Sequence, residues 1–213
     1  LRFTDESRLV EGNWDFEGPR RNTGIAACAG DWIVEVDGDD HVPPGLAEEI
    51  RRVAATSDAD YHETLVDNYI GARLVRWGWG ASFGKAAYPG LFRKGAKSWG
   101  MQRVHPSLAW TGRDGRKAVK GPTLTHRLDH FVDRDISDMI RRLDRYATLR
   151  AADLRDAGDP GSLADNLRRL FSRFFKCYVR RKGYREGGWG LLIALCAGLF
   201  PLLAYLKATL EDS

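Results

Sequence analysis

Gly30-Asp31-Trp32-Ile33-Val34-Glu35-Val36-Asp37-Gly38-Asp39-Asp40 is the stretch from which the rest of the chain is read. The run from Trp32 to Val36 is short, apolar and β-branched, with Gly30 as a break before it, so it fits a buried parallel strand better than a helix. It stops abruptly at Asp37, Asp39 and Asp40. In open parallel sheets, ligands collect at the carboxyl ends of strands. Asp37 and Asp39 are two positions apart, so extended backbone turns them to the same side, and Gly38 between them adds no bulk. Oxygen donors so placed suit Mg²⁺ or Mn²⁺, which normally take phosphate oxygens as further ligands. A calcium loop of the EF-hand type is excluded, because Val42 stands where that loop needs glycine and Pro43-Pro44 follow. Ordinary acidic turns share the Asp-x-Asp spacing, so the flanking residues must carry the distinction.

Upstream, Pro19 suits the start of a short helix and Gly30 its termination. Arg20 and Arg21 then fall in the first turn, where the helix dipole disfavours cations. They are either two solvated arginines or the neighbours of an anionic ligand. Downstream, Leu46, Ile50 and Val53 give one face of a helix. From Asp60 to Arg76 the periodicity loosens, and Trp77-Gly78-Trp79-Gly80 with Tyr88 to Gly95 reads as aromatic loops and short strands. Trp77 and Trp79 either stack on a flat ligand face such as a sugar ring or cover a core edge.

Met101 to Pro106 and Leu124 to His130 read as strand ends carrying His105, His126 and His130. Asp135 is a helix N-cap, and Ile136, Met139, Ile140, Leu143, Tyr146, Ala147 and Leu154 keep a helical period after it. His130 is thereby expected in the loop before that helix, where an imidazole reaches a metal-bound diphosphate.

The 213 residues suit one domain with appendages, and the net charge of +4 is unevenly spread. Arg168, Arg169, Arg173, Lys176, Arg180, Arg181, Lys182 and Arg185 lie between Asp165 and Glu186, which implies an anionic neighbour. Cys28, Cys177 and Cys196 are odd in number and widely spaced, so neither a zinc site nor a disulfide framework is indicated, and a reducing cytoplasm is the simplest compartment. Leu1 reads as a cut end. Only Arg8-Leu9-Val10 precedes Trp32 as a possible strand, so one or two βαβ-sized units, on the order of 60 residues, are expected upstream.

Gly158-Asp159-Pro160-Gly161-Ser162 breaks the pattern and sets an expected boundary between 1–157 and 158–213. Beyond it, Leu163, Leu167, Leu170, Phe171, Phe174, Phe175 and Tyr178 form an apolar stripe opposite the arginines. That pattern fits a helix lying on a membrane surface, or a core-packing helix with a solvated basic face. Trp189 to Leu206 carries no charge and approaches the length of a span, but Pro201, Gly190 and Gly198 favour a hydrophobic hairpin or in-plane segment.

Arg21-Asn22, Gly30-Asp31-Trp32-Ile33 and Asp37-Gly38-Asp39-Asp40 together resemble the Arg-Asn, Gly-Asp-Trp and Asp-x-Asp-Asp/Glu signatures of GT-A-type family 2 glycosyltransferases. The likeness is greatest to the bacterial subgroup of lipopolysaccharide-core β-1,4-glucosyltransferases. Leu91-Phe92-Arg93-Lys94-Gly95, Val104-His105, His130, Ile136-Ser137-Asp138 and Arg145-Tyr146 follow in matching order, so the resemblance covers about Gly12 to Ala152. It implies a Rossmann-like α/β sheet truncated at its amino terminus, to which the basic amphipathic helix and apolar tail beyond residue 158 add an expected helical, membrane-associated carboxyl-terminal extension. It also implies inverting transfer of a sugar from a nucleotide-sugar donor to a glycan or lipid-linked acceptor at the cytoplasmic face of the bacterial inner membrane.

In that scheme Asp37, Asp39 and Asp40 hold Mg²⁺ or Mn²⁺. Arg20, Arg21, Asn22 and His130 neighbour the donor diphosphate, and Trp77, Trp79 and His105 face the sugar or acceptor. Relatives often carry Glu after the Val-His pair as the base, and here Pro106 stands there. Another carboxylate such as Asp67 or Asp129 serves instead, or that base assignment does not apply, or the chain is a non-catalytic binding module on the same fold. A nucleic-acid partner is disfavoured, because the basic residues flank an apolar run rather than base-stacking aromatics.

Overall fold

The computed structural model describes residues 9–80, 83–103 and 106–211. The elements run α1 (Glu17–Ala27), β1 (Trp32–Val34), β2 (Asp40–His41), α2 (Pro44–Thr56), β3 (Tyr61–Ile70), β4 (Arg73–Val75) and β5 (Ala87–Arg93). They continue with β6 (Lys97–Trp99), β7 (Leu108–Trp110), β8 (Arg127–Asp133), α3 (Ile136–Asp156), α4 (Leu163–Phe175) and α5 (Gly188–Leu210). The class is mixed α/β. The main sheet has strand order β1-β5-β3-β8-β2 with β4 hung on β3, and β6-β7 form a separate ribbon. The chain divides into two compact units, Leu1–Val66 with Ala87–His130 and Asp67–Ala86 with Phe131–Ser213. The loop at 158–162, expected as a boundary, connects α3 to α4 inside the second unit.

In the first unit the strand expected at Trp32 forms, but it is antiparallel to β5, with Ile33 opposite Phe92. An apolar run reports burial and is silent on the direction of its partner. Leu9 and Val10 form no strand, and Arg8 lies outside the described residues. Leu46 and Ile50 of α2 bury against Leu91, Leu124 and Leu128, with Val53 packed beside them. Each such side chain contributes about 2 kcal/mol on leaving water.

The stretch from Asp60 that looked irregular contains β3, ten residues long and alternately buried along much of its length. Its buried face includes His62 and Thr64, which disguise the period. His62 is satisfied at both ring nitrogens, by the Pro122 carbonyl at 2.8 Å and the Ser57 hydroxyl at 2.8 Å. Between the pairs His62 with Leu91 and Thr64 with Tyr88, β5 carries Pro89-Gly90 against one residue of β3. Proline has no N–H for the ladder, so the strand bulges there.

In the second unit α5 is one continuous helix, which excludes the hairpin of the two expectations and leaves the in-plane segment untouched. Ile193, Ala194, Ala197 and Phe200 bury with Met139, Leu143 and Ala147 of α3 in one core. Gly190 and Gly198 act as close-approach points rather than breaks: a Cβ on Gly190 would lie 1.8 Å from the Gly183 carbonyl oxygen, and one on Gly198 2.8 Å from that of Leu170. Pro201 is tolerated because this packing offsets the backbone hydrogen bond it cannot make. By length and composition α5 could cross a membrane, yet half of its most apolar window is buried within the protein. Asp135 caps α3 through the Asp138 N–H, and Ser162 caps α4 through the Asp165 N–H.

Candidate metal centre

β1 ends at Val34, a turn follows, and β2 begins at Asp40, directly opposite His130 of β8. His130 thus lies inside a strand rather than in the loop expected before α3. The register brings Asp39, Asp40 and His130 together, with one ligand atom of each lying within 4.8 Å of the others. The Asp40 side chain is fully buried, His130 is one-tenth exposed at its side chain, and Asp39 is half-exposed. His130 Nδ1 lies 2.9 Å from Asp40 Oδ1 and 3.7 Å from Asp39 Oδ1. The nearer approach is an ion-pair distance without hydrogen-bond alignment, and the buried Nδ1 has no hydrogen-bond partner among the described residues. Two carboxylates, one from the turn before β2 and one from β2, and a buried imidazole nitrogen from β8 fit a divalent cation.

Asp37, expected with Asp39 as a metal ligand, is not part of that converging group. Arg21 Nη2 holds its Oδ1 at 2.6 Å, while Nη1 of the same guanidinium holds Glu35 at 2.6 Å and the Glu17 carboxylate adds a third contact. The anion implied by an arginine near the start of α1 is therefore supplied by the chain itself. Burial alone would lower the Arg21 pKa, but Asp37, Glu17 and Glu35 outweigh it and raise it. Asn22 is also internally committed, accepting from the Trp99 N–H and donating to the Trp99 carbonyl, each at 2.9 Å. Arg20 stays exposed, with a loose 4.0 Å approach to Glu17.

Behind Arg21 lies a network not anticipated from the sequence. Glu35 accepts from Lys97 Nζ and from the Trp99 indole, each at 3.1 Å, and its backbone carbonyl accepts from the Tyr88 hydroxyl at 2.8 Å. Lys97 is enclosed among Phe92, Trp99 and Trp110, and burial lowers its pKa despite Glu35. Tyr88 is pushed up by burial and by the negative charges of Asp40, Asp37 and Glu35. A glutamate inside Trp-Ile-Val-Glu-Val was the available signal, since a charge in a buried run needs a partner.

Of the two candidate bases, Asp129 is one-quarter exposed and lies 3.2 Å from His41 Nδ1, its neighbour across the strands. Asp67 is buried in the second unit, 3.5 Å from Arg76. Trp79 is a core residue whose indole donates to the Val75 carbonyl, so it cannot stack on a sugar. Trp77 is partly exposed, with Lys182 and Arg185 over its ring at 5.4 and 5.2 Å. His105 lies outside the described residues. No known protein-family model matches the chain.

Proposed function

We propose that this chain is a metal-dependent glycosyltransferase of the GT-A type, related to the family 2 enzymes its motifs resemble. The observation that carries the reading is the convergence of Asp39, Asp40 and His130, built from the acidic cluster and the histidine that the motif order pairs. A divalent ion there supplies Lewis-acid neutralisation of the departing nucleotide diphosphate. Asp40 and His130 form the buried part of the cradle, and Asp39 completes it from the solvent side. The mixed oxygen and nitrogen set favours Mn²⁺ over Mg²⁺, which prefers oxygen ligands and water. Arg21 anchors the Asp37 turn instead of touching the donor, leaving Arg20 as the exposed arginine for a diphosphate. Asp129 is the more accessible base.

The apolar stripe of α4 and its arginines support attachment to the cytoplasmic face of the bacterial inner membrane, close to a lipid-linked acceptor. Pro106 favours a second reading, a non-catalytic module that keeps the metal site without a base.

Titration of the 213-residue chain with Mn²⁺, followed by a screen of nucleotide sugars for Mn²⁺-dependent transfer or hydrolysis, tests the proposal. Expected are loss of turnover in Asp39→Ala with an unchanged circular dichroism spectrum, and weakened Mn²⁺ binding in His130→Ala. Equal Mn²⁺ affinity in His130→Ala and the parent would remove the site. Mn²⁺ binding with no turnover of any donor would select the non-catalytic module.

A further inference from the structure

The second unit contains a cleft of about 500 Å³ lined by Phe131, Arg134, Asp138, Arg141 and Arg145, with the Arg142–Asp133 pair in its wall. The charges in it do not cancel. Arg142 and Asp133 form a buried, two-stranded ion pair at 2.9 and 2.8 Å, neutral as a unit. Asp138 is shared by Arg134, at 2.5 and 3.0 Å, and by Arg141. Those two guanidiniums hold the Asp138 carboxyl well below the ordinary range, so it stays ionised. Arg145 has no carboxylate partner among the described residues and lies over the Tyr146 ring at 5.2 Å. Among the residues lining the cleft, three cations therefore face one carboxylate, an excess of two positive charges, with the Asp135 carboxylate beside Arg134 outside the lining.

The position sharpens the excess. Arg134 precedes the Asp135 N-cap of α3, and Arg141 and Arg145 follow in its second and third turns, so the cations line one side of the amino-terminal half of the helix. Planar guanidinium forks match the oxygens of a phosphate, and a doubly charged phosphomonoester balances the excess. The cleft volume lies in the range that holds whole organic ligands. Phe131, half-exposed and stacked on Tyr69 at 5.1 Å, adds a flat apolar wall beside the charges.

We infer that this cleft binds a phosphomonoester carried on a larger polar body, either a sugar phosphate or the headgroup of a phospholipid. The inference is independent of the metal centre, which uses none of these residues.

Equilibrium binding of glucose 6-phosphate to the 213-residue chain, in EDTA so that no metal-bound phosphate contributes, is the direct test. It is paired with sedimentation on phosphatidylcholine vesicles with and without phosphatidic acid. Saturable binding of at least one probe is expected, weakened about tenfold or more in Arg141→Gln/Arg145→Gln, as loss of charged hydrogen bonds implies. Arg145→Gln alone breaks no ion pair and serves as the fold-neutral variant. Binding of glucose 6-phosphate identifies a sugar phosphate. Binding confined to phosphatidic acid vesicles, lost in the arginine variants but kept in Phe171→Ser, identifies a lipid headgroup. The inference fails if neither probe binds saturably, or if Arg145→Gln and the double variant bind both as the parent does.

Discussion

Glu49 shows how much one side chain carries. Its carboxylate on α2 accepts from the N–H groups of Thr125 and His126, from the Thr125 hydroxyl and from the His126 ring, at 2.8–3.0 Å. Burial alone would raise its pKa, yet these donors outweigh it and bring it from 4.5 down to about 2. A depressed folded-state value means that the stabilisation is complete above about 4.5 and fades as the pH falls toward about 2. The linkage is of order 3 kcal/mol. Urea unfolding of Glu49→Gln should therefore show a loss of about 2–3 kcal/mol near neutrality, and a weaker acid dependence than the parent. Identical acid profiles for the two proteins would contradict the clamp. Nothing in Glu48-Glu49-Ile50 marks the second glutamate as buried, because its partners are 76 and 77 positions away. Asp135, whose cap partner is three positions away, was legible at once.

At the level of elements, α5 depends on glycines placed where two backbones nearly touch. Gly190→Ala directs a methyl group into the Gly183 carbonyl, and backbone cannot swing aside as a long side chain can. Overpacking of this kind costs about 1–3 kcal/mol. A lowered melting temperature is expected for this variant, whereas alanine at Gly24, which meets nothing within 4 Å and sits in α1, should be neutral or slightly stabilising. A melt unchanged by Gly190→Ala would mean that α5 does not approach Gly183 so closely. The same contacts explain why the hairpin expectation failed: glycine and proline in an apolar run break an isolated helix, but here packing against α3 and α4 outweighs that tendency. β3 misled in the opposite sense, since buried polar residues hid a long strand.

For the whole molecule, the uneven charge and the exposed part of the apolar stripe along α4 and the helical turn after it point the same way, while Phe174 and Tyr178 of that stripe pack against the core. Leu163, Leu167, Phe171, Phe175 and Val179 are each between 39 and 69 % exposed and recur every four residues, while Arg168, Lys176 and Arg180 are exposed near them. An anionic bilayer satisfies both features at once. Phe171→Ser/Phe175→Ser should weaken sedimentation with phosphatidylglycerol vesicles about tenfold or more, from the apolar area lost. Added salt should weaken the parent further by screening. Retention of full vesicle binding by the double variant would leave the stripe to another partner.

From the sequence alone came the strand at Trp32, the helices at Leu46, Asp135 and Leu163, and the acidic turn before Val42, because each is written in neighbouring residues through periodicity, caps and turn chemistry. Only the tertiary structure decided which acids converge. Pairing of β2 with β8 set Asp40 against His130, and Arg21 drew Asp37 away into its own carboxylate network. Those are contacts between residues far apart along the chain, fixed by strand register and by the cost of burying unpaired charge, and local spacing does not encode them.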